Sequence, residues 1–254
     1  MRYGIISDIH SNLEGLSAAL DSLEGLEVDS ILCCGDIIGY AAEPAACLEL
    51  VRQKEILCIR GNHERGLEDL ATGEEPAMNH LALAALQHSG RQLQAEQKKY
   101  LLELPDFRQL DTEFLIFHGA PSYPDEYILD PFEAHYAFKS LHKDYPEPAN
   151  HLCFIGHTHV CAIYLLEHET QKLVHGEVSN PGHIRLPEGH DVMVNVGSCG
   201  QYRGGLAQAS FCVYDPTERL IEFHFVDYDI SLTQKKILDA GLPPELAARL
   251  AGGW

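Results

Sequence analysis

Positive charge is scarce in this chain. Lys and Arg number 18 against 38 Asp and Glu, a formal net charge of −20. That excludes non-specific binding to nucleic-acid phosphates or anionic membranes. It also sets a problem for any anionic substrate, which needs a local source of positive charge. No CxxC pair occurs among the eight cysteines, and Cys33, Cys34, Cys58, Cys153 and Cys212 lie inside apolar runs. A disulfide framework or zinc ribbon is thereby disfavoured, and reduced, buried thiols in a cytoplasmic protein are expected. No basic stretch followed by an apolar one occurs near Met1, so no signal peptide is expected, and no run approaches membrane-spanning length. Internal repeats, linkers and low-complexity stretches are missing too. One domain over residues 1–254 is therefore expected, with ample chain for a core.

What is present is a set of short apolar runs with a common ending. Ile31-Leu32-Cys33-Cys34 reads as a buried strand and feeds into Gly35-Asp36-Ile37-Ile38-Gly39-Tyr40. Gly35 lets the backbone turn sharply, leaving Asp36 at the carboxyl edge of a sheet. Arg2 to Ser7 is a first strand, ending in Asp8 and His10. A helix comes next, capped by Asn12, with Leu13, Leu16, Ala19, Leu20 and Leu23 as its apolar stripe. Pro44 opens a second helix. Ile56 to Ile59 is a third strand, running into Arg60-Gly61-Asn62-His63-Glu64. Phe114 to Phe117 ends in His118-Gly119, and Leu152 to Ile155 ends in Gly156-His157-Thr158-His159.

Between these, residues 65–105 read as a helical insertion with two helices, about Met78 to His88 and Ala95 to Leu104. A further helix is expected from about Phe132 to Leu141. After His159 the rhythm changes to short strands joined by turns, antiparallel and hairpin-like: Ala162 to Glu167, Lys172 to His175, Val192 to Val196, Ser210 to Tyr214 and Leu220 to Val226. Helical pieces at Leu232 to Ala240 and after Pro243-Pro244 close the chain.

Five apolar strands thus end in Asp, Asn or His. Parallel strands put their carboxyl ends on one edge, so Asp8, His10, Asp36, Asn62, His63, His118, His157 and His159 converge on one rim. Imidazoles, carboxylates and an amide suit borderline transition metals such as Mn, Fe, Zn or Co, not Ca or Mg. Two such ions about 3.5–4 Å apart clamp a phosphorus centre for in-line attack, and Asp36 is the carboxylate expected to bridge them. Four positive charges against Asp8 and Asp36 leave a local excess of about two, which answers the problem set by the net charge.

Asp8-x-His10, Gly35-Asp36-x-x-Gly39-Tyr40, Gly61-Asn62-His63-Glu64, His118-Gly119 and Gly156-His157-x-His159 together resemble the motifs of the calcineurin-like metallophosphoesterases, in that family's order. The resemblance implies an α/β fold, a four-layer α/β/β/α sandwich of two mixed sheets. It implies one metal on Asp8, His10, Asp36 and His159 and a second on Asp36, Asn62, His118 and His157. A hydroxide bridging the metals is then the nucleophile, and His63 faces the leaving group, oriented by a nearby carboxylate. Asn195-Val196-Gly197-Ser198-Cys199-Gly200-Gln201-Tyr202-Arg203 resembles a loop of the smaller bacterial members, a group that includes phosphodiesterases and dinucleoside polyphosphate hydrolases. Val196 and Tyr202 replace that loop's usual prolines. Arg203 is then either a phosphate contact or a solvated loop arginine.

The implied function is dimetal hydrolysis of phosphate esters, as phosphodiesterase or phosphatase, on a phosphorylated small molecule or nucleotide. A dinucleoside polyphosphate hydrolase and a non-catalytic metal-binding scaffold are the alternatives. An oligomer stays open. Tyr40, Tyr123, Tyr127 and Tyr136 either line a cleft or, the better expectation, pack ordinarily. His175, His183 and His190 match no ligand spacing, and no metal is expected there. Cys199 has no evident activating partner and reads as a packing residue.

Overall fold

The apolar runs at Tyr3–Ile6 (β1), Phe114–Phe117 (β5) and Leu152–Ile155 (β6) are buried at every position. A strand is buried on both sides only when its sheet is covered on both faces. The computed structural model describes residues 1–110, 114–147 and 151–253, and it supplies that cover through two stacked sheets.

In the first sheet β1 lies parallel to Ser30–Cys33 (β2), and β2 lies parallel to Leu57–Cys58 (β3). On its other side β1 meets Ala209–Asp215 (β11), followed by Leu220–Val226 (β12) and Gly182–Arg185 (β9), all antiparallel. In the second sheet β5 is parallel to β6 and β6 to His190–Val196 (β10). Phe107–Leu110 (β4) borders β5, while Cys161–Glu167 (β7) and Leu173–Glu177 (β8) continue beyond β10, all antiparallel.

Side-chain alternation divides each strand between two cores. Ile5, Leu32 and Cys34 point between the sheets, against Phe114, Ile116, Phe154 and Val194. Ile6, Cys33 and Val213 point outward, under Leu16, Leu20, Leu48 and Val51 of the helices Leu13–Glu24 (α1) and Pro44–Gln53 (α2). On the far side Leu115, Phe117, Cys153 and Ile155 meet Phe138 and Leu141 of Pro131–Asp144 (α6). Each such fully buried side chain contributes about 1.5–3 kcal/mol. The result is the expected α/β/β/α sandwich of two mixed sheets. All eight cysteines are buried and free. Among the described residues no helix is long and apolar enough to cross a membrane.

Three features differ from expectation. The helical stretch holds three helices, Asn62–Thr72 (α3), His80–Gln92 (α4) and Ala95–Leu102 (α5), and α3 begins at Asn62 itself. Its acidic, Gly-interrupted sequence has only Leu67 fully buried among its large apolar residues, which is too little for a readable stripe. The edge strands β4 and β9 are short and largely solvent-facing, so neither shows an apolar run. And β10 is not purely hairpin-like: it is antiparallel to β7 but parallel to β6. The chain closes with Ile230–Asp239 (α7) and Pro244–Gly252 (α8), whose Ile237, Leu246 and Leu250 pack with Ala82, Ala85 and Tyr40.

Candidate metal centre

The five strand ends do meet, but on the shared rim of two sheets. Asp8 and His10 come after β1, Asp36 after β2, and Asn62 and His63 open α3 after β3. His118 comes after β5, and His157 and His159 after β6. Gly156 brings the two sheets into close approach. A Cβ there would lie 1.9 Å from the Ser7 Oγ and 2.4 Å from the Asp8 Oδ2, so only glycine lets the β6 end reach the β1 end.

Left-handed backbone turns these residues inward. Asp8, His10, Asp36, His157 and His159 all have φ between 49° and 67°. Such conformations cost roughly 1–2 kcal/mol for an ordinary residue, and they persist where surrounding bonds over-determine them. Those bonds are present. The Asp8 and His10 amides donate to the Gly35 and Asp36 carbonyls at 3.0 and 2.9 Å, and the His157 amide donates to Asp8 Oδ2 at 3.0 Å.

The side-chain atoms form two adjoining groups. Asp8 Oδ1 lies 3.7 Å from His10 Nε2 and 3.2 Å from His159 Nε2. Asp36 Oδ2 lies 3.5 Å from His10 Nε2 and 3.4 Å from His118 Nε2, and so stands between the groups. His118 Nε2 is also 3.1 Å from Asn62 Oδ1. His157 joins Asp36 and His118, with ligand-type atoms within 4.8 Å of one another.

These atoms fit a cation and little else. His10 Nδ1 and His159 Nδ1 face the carbonyls of Ile38 (3.1 Å) and Gln201 (2.6 Å), so each ring donates there. Their Nε2 atoms then carry lone pairs, yet lie 3.0 Å apart. Two facing lone pairs repel unless a positive charge sits with them. Asp8 Oδ1, beside them, is buried without a hydrogen-bond partner. His118 Nδ1 similarly faces the Cys34 carbonyl at 2.8 Å, and His157 Nε2 the Asp125 carbonyl at 2.9 Å.

The electrostatics agree. Burial lowers His63 and His157 to about 3 and His159 to about 4, so these imidazoles are neutral and their lone pairs free. Burial also acts on His118, but the Asp36 and Asp8 carboxylates lift it to about 9. Asp8 and Asp36 stay well below the ordinary carboxylate range. Burial would raise them, but the nearby imidazoles of His159 and His10 outweigh it at Asp8, and the charge of His118 outweighs it at Asp36. Both remain anionic.

Around this centre lie residues with roles that sequence alone did not assign. Glu64 is fully buried and accepts the amides of Asp36, Ile37, Ile38 and Gly61 at 2.8–3.3 Å, fixing the turn that carries Asp36. Ser198 Oγ donates to the Asp8 carbonyl, and Asn195 Nδ2 donates to the Gly156 carbonyl and Thr158. The 195–203 loop therefore braces the turns that carry Asp8 and His157. Burial drives the Cys199 thiol upward, so it is inert as a nucleophile.

His63 is brought to the centre too, within 4.8 Å of His10 and Asp36 atoms. Its amide donates to Asp36 Oδ1 at 2.9 Å, but no carboxylate bonds its ring among the described residues. The ring is held instead by packing, against His10, Tyr40 and Gly39, where a Cβ would approach its Nδ1 to 2.1 Å. Arg203 is not a solvated loop residue. It is half-buried over the Tyr40 ring, donates to the Tyr40 hydroxyl at 3.2 Å, and has no carboxylate within 4 Å among the described residues.

Of Tyr40, Tyr123, Tyr127 and Tyr136, the first packs in a core as expected, and the other three do not. Tyr40 is buried, but Tyr123, Tyr127 and Tyr136 are exposed, and the Tyr127 ring stacks on His157 at 3.9 Å. A cleft of about 460 Å³ opens at the centre between Tyr40, Tyr127, Asp125, Arg65 and the 76–79 segment. His175, His183 and His190 fall on three separate strands, two in the second sheet and one in the first.

Comparison with known proteins agrees with this architecture. The calcineurin-like phosphoesterase superfamily domain matches residues 1–219. An uncharacterized protein of Methanocaldococcus jannaschii is 32% identical over 252 residues, covering 97% of this chain and 96% of that one. A metallophosphoesterase structure from Sphaerobacter thermophilus is similar over 100% of this chain and 99% of its own, at 34% identity and a TM-score of 0.83. A hypothetical protein from Pyrococcus horikoshii shares the fold at 18% identity and a TM-score of 0.77, over 100% of this chain and 98% of that one. The Sphaerobacter and Methanocaldococcus relatives extend the likeness past residue 219 to nearly the whole chain. It belongs to the calcineurin-like phosphoesterase superfamily and is a metal-dependent phosphoester hydrolase.

Proposed function

We propose that the chain hydrolyses esters between phosphate and an organic alcohol, using two divalent ions that share Asp36. Asp8, His10, Asp36 and His159 hold one ion; Asp36, Asn62, His118 and His157 hold the other. The observation that carries this is Asp36 Oδ2, 3.5 Å from His10 Nε2 in one group and 3.4 Å from His118 Nε2 in the other. When bound, two such ions polarise phosphoryl oxygens and make a water nucleophilic at neutral pH.

The chain's own residues do the rest. Asp8 and Asp36 supply two negative charges, fewer than two divalent ions carry, so the pocket attracts phosphate despite the chain's net charge of −20. Arg203 brings a half-buried guanidinium to a non-bridging phosphate oxygen, steadied by the Tyr40 hydroxyl. His63 meets the leaving oxygen. The 460 Å³ cleft is larger than a phosphate needs, so it houses the alcohol part, walled by Tyr40 and Tyr127.

The test is a panel of bis-p-nitrophenyl phosphate, p-nitrophenyl phosphate, alkyl and nucleotide esters and a dinucleoside polyphosphate, on metal-reconstituted protein of measured metal content. Turnover of esters is expected, lost on chelation while far-UV circular dichroism is kept, because the hydrophobic cores close without metal. No turnover with two ions bound would make the chain a scaffold, and preference for the dinucleoside polyphosphate would move the substrate to an anhydride. Arg203→Ala should raise KM roughly 10–100-fold, the worth of a charge-assisted hydrogen bond of about 1.5–3 kcal/mol, with metal content unchanged. An unchanged KM on every ester would remove Arg203 from the phosphate site.

A further inference from the structure

The second sheet carries another cluster of metal-type side chains at its opposite end. β10 begins beside Asp191 and reaches the strand-end centre through Asn195, four residues and roughly 13 Å later. The Asp191 side chain is fully buried. Its Oδ2 lies 2.6 Å from His142 Nε2, and its Oδ1 lies 3.1 Å from His168 Nε2 and 3.4 Å from His151 Nδ1. These residues come from four places: the last turn of α6, the residue ahead of β6, the turn after β7, and β10.

An ordinary buried carboxylate would have its hydrogen bonds made, and one amide, that of His151, does donate to Oδ1 at 2.8 Å. The rings are less settled. His151 Nε2 faces the Tyr145 carbonyl at 2.5 Å and donates there, so the neutral ring carries its lone pair on Nδ1. That Nδ1 belongs to a fully buried side chain, has no hydrogen-bond partner, and is aimed at the Asp191 carboxylate. His168 Nε2 is likewise buried without a hydrogen-bond partner. The His151 lone pair, the His142 Nε2 and the anionic Asp191 therefore lie within 4.8 Å of one another, brought together from three different places in the chain.

We propose that Asp191, His142 and His151 form a separate site for a divalent transition metal of the zinc class, with His168 beside the carboxylate. Two imidazole nitrogens and one carboxylate oxygen are donors that zinc takes at about 2.0–2.2 Å, with a water completing the tetrahedron. His142 stands too close to Asp191 for both to ligate unmoved, but its side chain is 46% exposed and free to swing outward. The ion would pin α6, the start of β6 and β10 together. It would close a 49-residue span between His142 and Asp191. The role is structural, because no cleft residue of the strand-end centre belongs to it.

The test strips the full chain with chelator, reloads it with Zn²⁺ or with Co²⁺ as a visible probe, desalts, and counts metal by elemental analysis. Wild type should hold one equivalent more than Asp191→Asn or His142→Ala, whatever the strand-end centre retains. That difference separates this site from the proposed dimetal function. The Co²⁺ spectrum should lose a tetrahedral component in both variants, and His142→Ala should keep ester turnover within about twofold. If Asp191→Asn fails to fold, His142→Ala, altered at a partly exposed side chain, decides alone. Equal metal content in wild type and His142→Ala would overturn the site and leave a carboxylate that merely shares protons with three imidazoles.

Discussion

Replacing Asp36 with Asn is expected to weaken both ions of the strand-end centre at once, whereas His10→Ala weakens mainly one. Asp36 alone among these side chains faces imidazoles of both groups. It is buried, so its charge is little screened by solvent. Removing one partner of a buried charge pair costs about 3–5 kcal/mol, which is roughly 10²–10⁴ in affinity. Asparagine is the informative choice because it keeps an acceptor for the His63 amide, the bond that ties the β2 turn to α3. The fold should therefore survive while metal is lost. Elemental analysis and metal titration give the answer, with circular dichroism as control. Two tightly held ions in Asp36→Asn would show that the carboxylate does not bridge.

Much of this centre was legible because apolar runs of four residues mark buried strands, and the polar residues immediately after each run mark the rim. The strand ends at Asp8, Asp36, His118 and His157 could be placed on that basis alone. The division into two sheets could not, since β5 and β6 look like β1 in sequence. All three are wholly buried runs, and it is register, with β1 meeting β11 and β6 meeting β10, that separates them. The left-handed backbone at five of the rim residues was invisible too. Asp and His tolerate it better than most residues, but nothing in their spacing announces it.

The residues that hold this rim in place were harder still. Glu64 adjoins His63 in sequence, yet its work is to gather four backbone amides, an arrangement with no periodic or compositional trace. Tyr127 lies thirty residues before the ring it stacks on. The Asp191 cluster draws on residues 142, 151, 168 and 191, spacings that match no known ligand pattern, and only the topology of the second sheet assembles it. Sequence shows where strands stop. It does not show which loops fold back over them.

His63→Gln or His63→Ala is expected to lose about 10²–10⁴-fold in kcat with both metals retained, the usual worth of general acid–base catalysis. The side chain is buried beside His10 and Tyr40, and its Nδ1 has no hydrogen-bond partner. Gly39 leaves just the room the ring needs. A group held by packing, with a ring nitrogen still unpartnered, has bonding capacity left for substrate. If it delivers a proton as the P–O bond breaks, the loss must depend on the leaving group. Nitrophenolate departs well unprotonated, so aryl esters should suffer least; an alkyl or nucleoside alkoxide needs the proton, so those esters should suffer most. An equal loss on both would mean that the neutral imidazole, which burial holds at about 3, serves by hydrogen bonding to charge in the transition state and not by proton transfer. Loss of metal from the variant would make His63 a ligand. The measurement is kcat for matched aryl and alkyl esters in wild type and variant at equal metal occupancy, and a ratio of losses well above one is the result that assigns the proton to His63.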